Sequence, residues 1–269
     1  MTANSTFINC LVEGSIDAQV YQDLRQTFAR ESIAFMPHGN VGITDVNNQL
    51  ISRVQFTESE ISPFHKHDIS CAHIAPREKT RAASTTTFAE KKIELNLIQK
   101  LLVHAFCVDD TQSRRPYPSA GGLYPIEPLV FLFPERINKW PKNSPAGCYH
   151  YRPVSNNLQL LRKMEQPALY EQLLHGFVGD TLEHSPNFAI LYLAQINKAI
   201  FKYRYRGYRH ALMEAGSMYQ QATLVAENLG LRTTVWSTFS EPEMMYALGL
   251  DHGLYLPLTM QLFGYGDRV

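Results

Sequence analysis

The chain has 269 residues, 45% of them hydrophobic and 19% charged, and its 25 Lys and Arg balance 25 Asp and Glu to a formal charge of zero. That length buries a full core, and the charge balance disfavours any partner needing one sign of charge over the whole surface, such as nucleic acid or an anionic membrane. Fifteen Gly and fifteen Pro are too few for a low-complexity chain, and Cys10, Cys71, Cys107 and Cys148 are too dispersed for a zinc motif or a disulfide scaffold.

In chain order, Asp17 to Arg30 reads as a capped helix, and Val41 to Phe56 alternates loosely like edge strands. The softest stretch, Ser62 to Phe88, marks a boundary, so residues 1–75 are expected to be an N-terminal extension and 76–269 the main domain. Leu95, Ile98, Leu101, Leu102 and Ala105 recur at helical spacing. Leu129 to Phe133 and Gly147 to Tyr151 are predicted strands, Leu158 to His175 a helix, and Phe188 to Ala194 a buried strand. Ala211 to Leu229 is a long helix with Gly230 at the left-handed cap position, and the small residues Ala215, Gly216 and Ser217 admit close packing. Arg232 to Phe239 is a strand, Glu241 to Leu248 a short helix and Leu256 to Phe263 a final strand. The order lacks the regular rhythm of a doubly wound sheet, and an α+β fold is expected.

No G-x-G-x-x-G, P-loop, H-E-x-x-H or G-x-S-x-G is present. His65, His67 and His73 with Cys71 can be drawn as a metal site, but their spacing fixes no tetrahedron and surface loop histidines are preferred, so no metal is expected. Met1 to Gly14 lacks the basic and apolar regions of a signal peptide, and the longest apolar run is too short to span a bilayer, so a cytoplasmic protein is expected.

Two segments carry chemistry. Arg114 and Arg115 lead into a proline-stiffened loop whose Ser119, Ala120, Gly121 and Gly122 let backbone amides approach a flat ligand, while arginine supplies forked donors for phosphate. A tight turn with a solvated arginine pair is the plainer alternative. In Phe201 to His210, Lys202, Arg204, Arg206 and Arg209 interleave with Tyr203, Tyr205 and Tyr208. This pattern admits three readings: single-stranded nucleic-acid binding, without a basic stripe elsewhere to support it; a solvated helix start; or a catalytic Lys202–Tyr203 pair. A cation beside a phenol favours the phenolate, and a buried lysine is readily deprotonated, so either is a candidate general base.

The loop Arg114 to Pro125 and the block Lys202 to Arg209, continued by Ala211 to Glu214 and Gly216 to Gln220, resemble the azoline dehydrogenases of thiazole/oxazole-modified peptide biosynthesis, of the microcin B synthetase type. These are a branch of the FMN-dependent nitroreductase-like superfamily, and the resemblance runs from about Arg77 to Phe263. It implies a mixed sheet flanked by helices, an FMN cofactor, and oxidation of thiazoline and oxazoline rings of a precursor peptide. It carries the catalytic pair onto Lys202 and Tyr203, and the flavin-lining loop onto Ser119, Ala120, Gly121 and Gly122 beside Arg114 and Arg115. The backbone donors to the flavin N5 edge fall at Trp236, Ser237 and Thr238. The superfamily's N-terminal phosphate motif is not intact here; Arg77, Lys79 and Arg81 approximate it, Arg77 being carried as a cofactor-binding candidate, and the resemblance leaves open which of the three meets the phosphate. The implied partners are an ATP-dependent cyclodehydratase and a leader-binding subunit of a synthetase complex, around a homodimer. A generic NAD(P)H-dependent FMN nitro or quinone reductase and a noncatalytic peptide-binding scaffold are the alternatives.

Overall fold

The computed structural model describes residues 18–32, 47–55, 58, 69–71, 81–85, 87–109, 111, 113–164, 186–251, 253 and 255–266. His65, His67, His73, Arg77 and Lys79 lie outside these residues. The described helices are α1 (Ala18–Glu31), α2 (Asn48–Gln55), α3 (Leu95–Phe106), α4 (Asn197–Tyr203), α5 (Tyr205–Asn228) and α6 (Glu241–Leu248). The strands are β1 (Ile93–Glu94), β2 (Ile126–Leu132), β3 (Ile137–Asn138), β4 (Gly147–Arg152), β5 (Asn157–Lys163), β6 (Phe188–Gln195), β7 (Arg232–Trp236) and β8 (Tyr255–Gly264).

Six strands form one sheet in the order β5-β4-β2-β6-β8-β7, antiparallel at every pairing, while β1 and β3 make a separate short parallel pair. The central strands are apolar along their whole length because both faces are covered. Val130 and Leu132 of β2, with Ile190 and Tyr192 of β6, face α3 and α5; Leu129, Phe131, Ala189 and Leu191 face the opposite core with Met245 and Leu248 of α6. A register shift opposite Tyr192 and Leu193 reverses the alternation in β8, so Gln261 and Leu256, five residues apart, both face the α5 side. Each large apolar side chain fully buried here contributes about 1.5–3 kcal/mol.

On the α5 side, Gln261 donates to Thr223 Oγ1 at 2.9 Å and accepts from Tyr192 Oη at 2.6 Å, which satisfies its buried amide. At the far end of α5, Gly230 takes φ +73, and Leu231 N–H donates to Ala226 C=O at 2.8 Å, the capping expected of that glycine. Helix α1 sends Val20 and Leu24 into the same core. Tyr205 Oη donates to Asp23 at 2.5 Å and Tyr208 Oη to Glu31 at 3.0 Å. Two tyrosines of the basic block thus fasten α1.

Two expected elements differ. Residues 48–55 are helix rather than edge strand: Asn47 Oδ1 accepts from Leu50 N–H at 2.8 Å as a cap does, and Leu50 and Val54 follow the helical step. Residues 157–163 are strand rather than helix, paired to β4 through the turn Pro153–Asn156, whose Asn156 adopts φ +47. This edge strand is mostly exposed, so it lacks the alternation that would have identified it. Residues 41–46 and 165–175 fall outside the described ones. The long helix begins at Tyr205, and β7 ends at Trp236.

Candidate active site

Helix α4 is short and breaks at Arg204, whose φ of 51° and ψ of −133° turn the chain directly into α5. Gly207 permits the two helices to meet: a Cβ there would lie 2.7 Å from the Ala199 carbonyl carbon and 2.8 Å from its oxygen. The other end of α4 is tied to β2, where Lys198 and His150 both reach the Glu127 carboxylate, the histidine at 3.0 Å. Burial would raise the Glu127 pKa, but the His150 hydrogen bond and the Lys198 charge outweigh it and hold it down at about 2. Lys202 and Tyr203 therefore sit on the last turn of a helix anchored at both ends.

Facing them is the turn between Ser119 and Leu123. Gly121 and Gly122 take φ +65 and +66, a backbone that side chains resist. A Cβ on Gly121 would stand 2.6 Å from Tyr203 Oη and 3.0 Å from Lys202 Nζ, whereas nothing lies within 4 Å of the Cβ position of Gly122. The two sequence motifs, about eighty residues apart in the chain, thus meet in one place. Lys202 Nζ lies 5.3 Å from the centre of the Tyr203 ring, and the Tyr203 and His210 rings meet edge to face at 4.8 Å.

The turn is braced from its own loop. Tyr124 N–H donates to Ser119 Oγ at 2.9 Å, and Arg115 N–H donates to Tyr124 Oη at 3.2 Å. The Arg115 guanidinium lies 4.3 Å from the centre of the Tyr124 ring and donates to Tyr117 Oη at 3.0 Å, with its Nε buried and unpartnered among the described residues. Burial pushes the Tyr117 phenol up, against the pull of Arg115. A hollow lined by Arg114, Arg115, Tyr117, Ser119, Gly122 and Tyr124 opens over this loop. Behind the turn, Tyr203, His210 and Glu214 line a space too small for water.

Lys202, Tyr203, Arg114, Arg115 and Ser119 to Gly122 are thereby gathered. Trp236 ends β7 and Ser237 and Thr238 follow it, three strands from β2 and so about 14 Å across the sheet. There Trp236 Nε1 donates to the Thr238 carbonyl at 2.9 Å. Sequence reasoning assigned no role to Glu214, Glu127 or His210. The available signal for Glu214 was an acid on the helix face otherwise made by Ala211, Ala215 and Met218.

The sequence matches the nitroreductase family over residues 80–265. It is 41% identical over 199 residues to the microcin B17-processing protein McbC of Escherichia coli, covering 73% of this chain and 71% of that protein. A nitroreductase of Methanocaldococcus jannaschii is 24% identical over 60% of this chain and 77% of its own. Among solved structures, a chain of the E. coli microcin synthetase McbBCD complex with truncated pro-MccB17 bound superposes with a TM-score of 0.83 at 32% identity, covering 96% of this chain and 97% of that one. A nitroreductase structure from Ralstonia eutropha shares the fold at a TM-score of 0.56 and 20% identity, over 70% of this chain and 80% of that one. Match length and identity together give the conclusion that the chain belongs to the nitroreductase family.

Proposed function

We propose that this protein is an FMN-dependent dehydrogenase that oxidises thiazoline and oxazoline rings of a precursor peptide to thiazoles and oxazoles, in the maturation of a bacteriocin-type peptide. The observation that carries the reading is the seating of Lys202 and Tyr203 on the Gly121 turn, in a chain 41% identical to a microcin-processing protein. The likeness to a chain of a synthetase complex supports the partners: a peptide substrate, an ATP-dependent cyclodehydratase and a leader-binding subunit. The exposed apolar side chains Phe201, Leu212, Met213 and Leu224 support a homodimer.

The residues fit FMN. Two consecutive left-handed glycines leave backbone without side chains at Gly122, and the adjoining hollow carries the guanidinium of Arg114 and the buried, unpartnered Nε of Arg115, donors suited to a phosphate. Arg77, outside the described residues, is proposed as a further phosphate ligand, and Trp236, Ser237 and Thr238 as donors at the N5 edge. FMN, when bound, supplies the hydride acceptor.

Aromatisation removes two protons and two electrons from adjacent ring carbons. The α-hydrogen, acidified by the neighbouring imine and carbonyl, leaves as a proton to Lys202 or Tyr203, and the β-hydrogen leaves with its electron pair as hydride. Anchoring α4 at Lys198 and at the Arg204 break keeps the base at a set height over the turn, where orientation is worth several powers of ten in rate.

Lys202→Ala and Tyr203→Phe are expected to lower azole formation at least about a hundredfold, the usual scale for a general base. Formation is read as loss of two hydrogens per ring by mass spectrometry of the peptide. A double variant that still aromatised at the normal rate would overturn the assignment, and NAD(P)H consumption without any peptide would favour the generic reductase.

A further inference from the structure

Glu214 projects from the core-facing side of α5 and is only 3% exposed. An acid in such a place is costly unless polar groups meet it. Here Ile126 N–H donates to Glu214 Oε1 at 3.4 Å, and the Ser119 side chain, which lines the same space, favours the ionised carboxyl as a donor does. These two donors stand at opposite ends of the segment Ser119–Ile126, which contains the glycine turn. Within it, Ser119 Oγ accepts from Tyr124 N–H, and Gly122 N–H donates to the Ser119 carbonyl at 3.1 Å. One carboxyl therefore grips both ends of the turn from beneath, and Tyr203 and His210 close the same space from α4 and α5.

We propose that Glu214 is a positioning residue whose carboxyl clamps the Ser119–Ile126 segment, holding Gly121 against Lys202 and Tyr203 and shaping the turn that receives the flavin. This rests on the reading of that turn as the FMN site. The groups facing the carboxyl are Ser119, Arg115 and Tyr117 from the loop, Ile126 N–H and Glu127 from β2, Tyr203 from α4 and His210 from α5. Burial raises the Glu214 pKa to about 7, with Ser119, Ile126 and Arg115 restraining the rise and Glu127 adding to it. As a carboxylate Glu214 accepts from both ends of the segment. Opening the segment returns the carboxyl to water and to an ordinary pKa, so ionisation favours the open form and the clamp loosens as pH rises toward neutrality.

The test is amide hydrogen exchange of the FMN-free full chain, corrected for intrinsic rates, on the wild type, Glu214→Leu and Glu214→Gln between pH 6 and 8.5. Affinity for FMN is followed in parallel by flavin fluorescence. Glu214→Leu is expected to raise exchange across Ser119–Ile126 about tenfold, with α5 still protected. The wild type is expected to gain exchange in that segment and lose FMN affinity as pH rises from 6 to about 7, levelling off above it, and Glu214→Gln, which has no charge to change, is expected to lose that pH step. Unchanged exchange in a folded Glu214→Leu, or a pH step retained in Glu214→Gln, would overturn the clamp; if the leucine variant does not fold, the glutamine variant decides. Neither readout involves the substrate, so failure here leaves the ring-oxidation reading standing, and failure of the Lys202 and Tyr203 variants leaves the clamp standing.

Discussion

Gly121 joins two requirements at one residue. Its φ of +65° asks for glycine, and the space its missing Cβ leaves is filled by Tyr203 Oη and Lys202 Nζ. Gly121→Ala would incur about 1–2 kcal/mol for the left-handed backbone and would also displace both side chains. It is expected to lower azole formation at least about tenfold while leaving far-ultraviolet circular dichroism unchanged; normal turnover would show that the contact does not set the pair. Gly122→Ala shares the backbone cost without a collision, so the difference between the two variants isolates the effect of the contact. The glycine pair was legible in the sequence as permissive backbone. Which glycine touches Lys202 and Tyr203 was not, because that depends on where α4 lies above the loop.

At the scale of the element, α5 shows two faces. Ala211, Ala215, Met218, Ala222 and Ala226 turn inward, and Gly207 lets the helix meet α4 backbone to backbone. On the outer face Leu212, Met213 and Leu224 are 43–54% exposed. Apolar residues on a solvent face are common singly, but three along the outer side of one helix fit a surface covered by a second copy. Leu212→Glu combined with Leu224→Glu is expected to convert a dimer to a monomer on size-exclusion chromatography with light scattering. A wild-type monomer would remove the dimer from the reading. The small-residue face of this helix was legible from its period, because α5 is long and capped by Gly230. The β5 strand was not, because an exposed edge strand places no alternating demand on its sequence. Helix α4 was missed because its seven residues are too few to show a period.

Across the whole molecule, two buried carboxyls bound the pH range of greatest stability. Glu127, held at about 2 by His150 and Lys198 despite its burial, contributes stability above its unfolded pKa that is lost as pH falls toward 2. Glu214 works in the opposite sense: burial raises it to about 7, so its penalty is absent below about 4.5 and complete above about 7. Ionising it opposes folding by up to about 3 kcal/mol. Stability from these two groups is therefore expected to peak near pH 4.5, falling toward pH 2 as Glu127 protonates and between about pH 4.5 and 7 as Glu214 ionises. In thermal melts Glu214→Gln should exceed the wild type at pH 8.5 and match it near pH 4; a constant difference across that range would show that the Glu214 pKa is not raised.

The sequence by itself determined the α+β class, the buried central strands, the long capped helix and the two motifs, because each is written in local composition and spacing that no distant residue can alter. Only the tertiary structure decided that the motifs share one site, that two tyrosines of the basic block fasten α1, and that Glu214 lies beneath the glycine turn. Those facts depend on sheet order and on the angle at Arg204, which set how segments far apart in the chain approach one another.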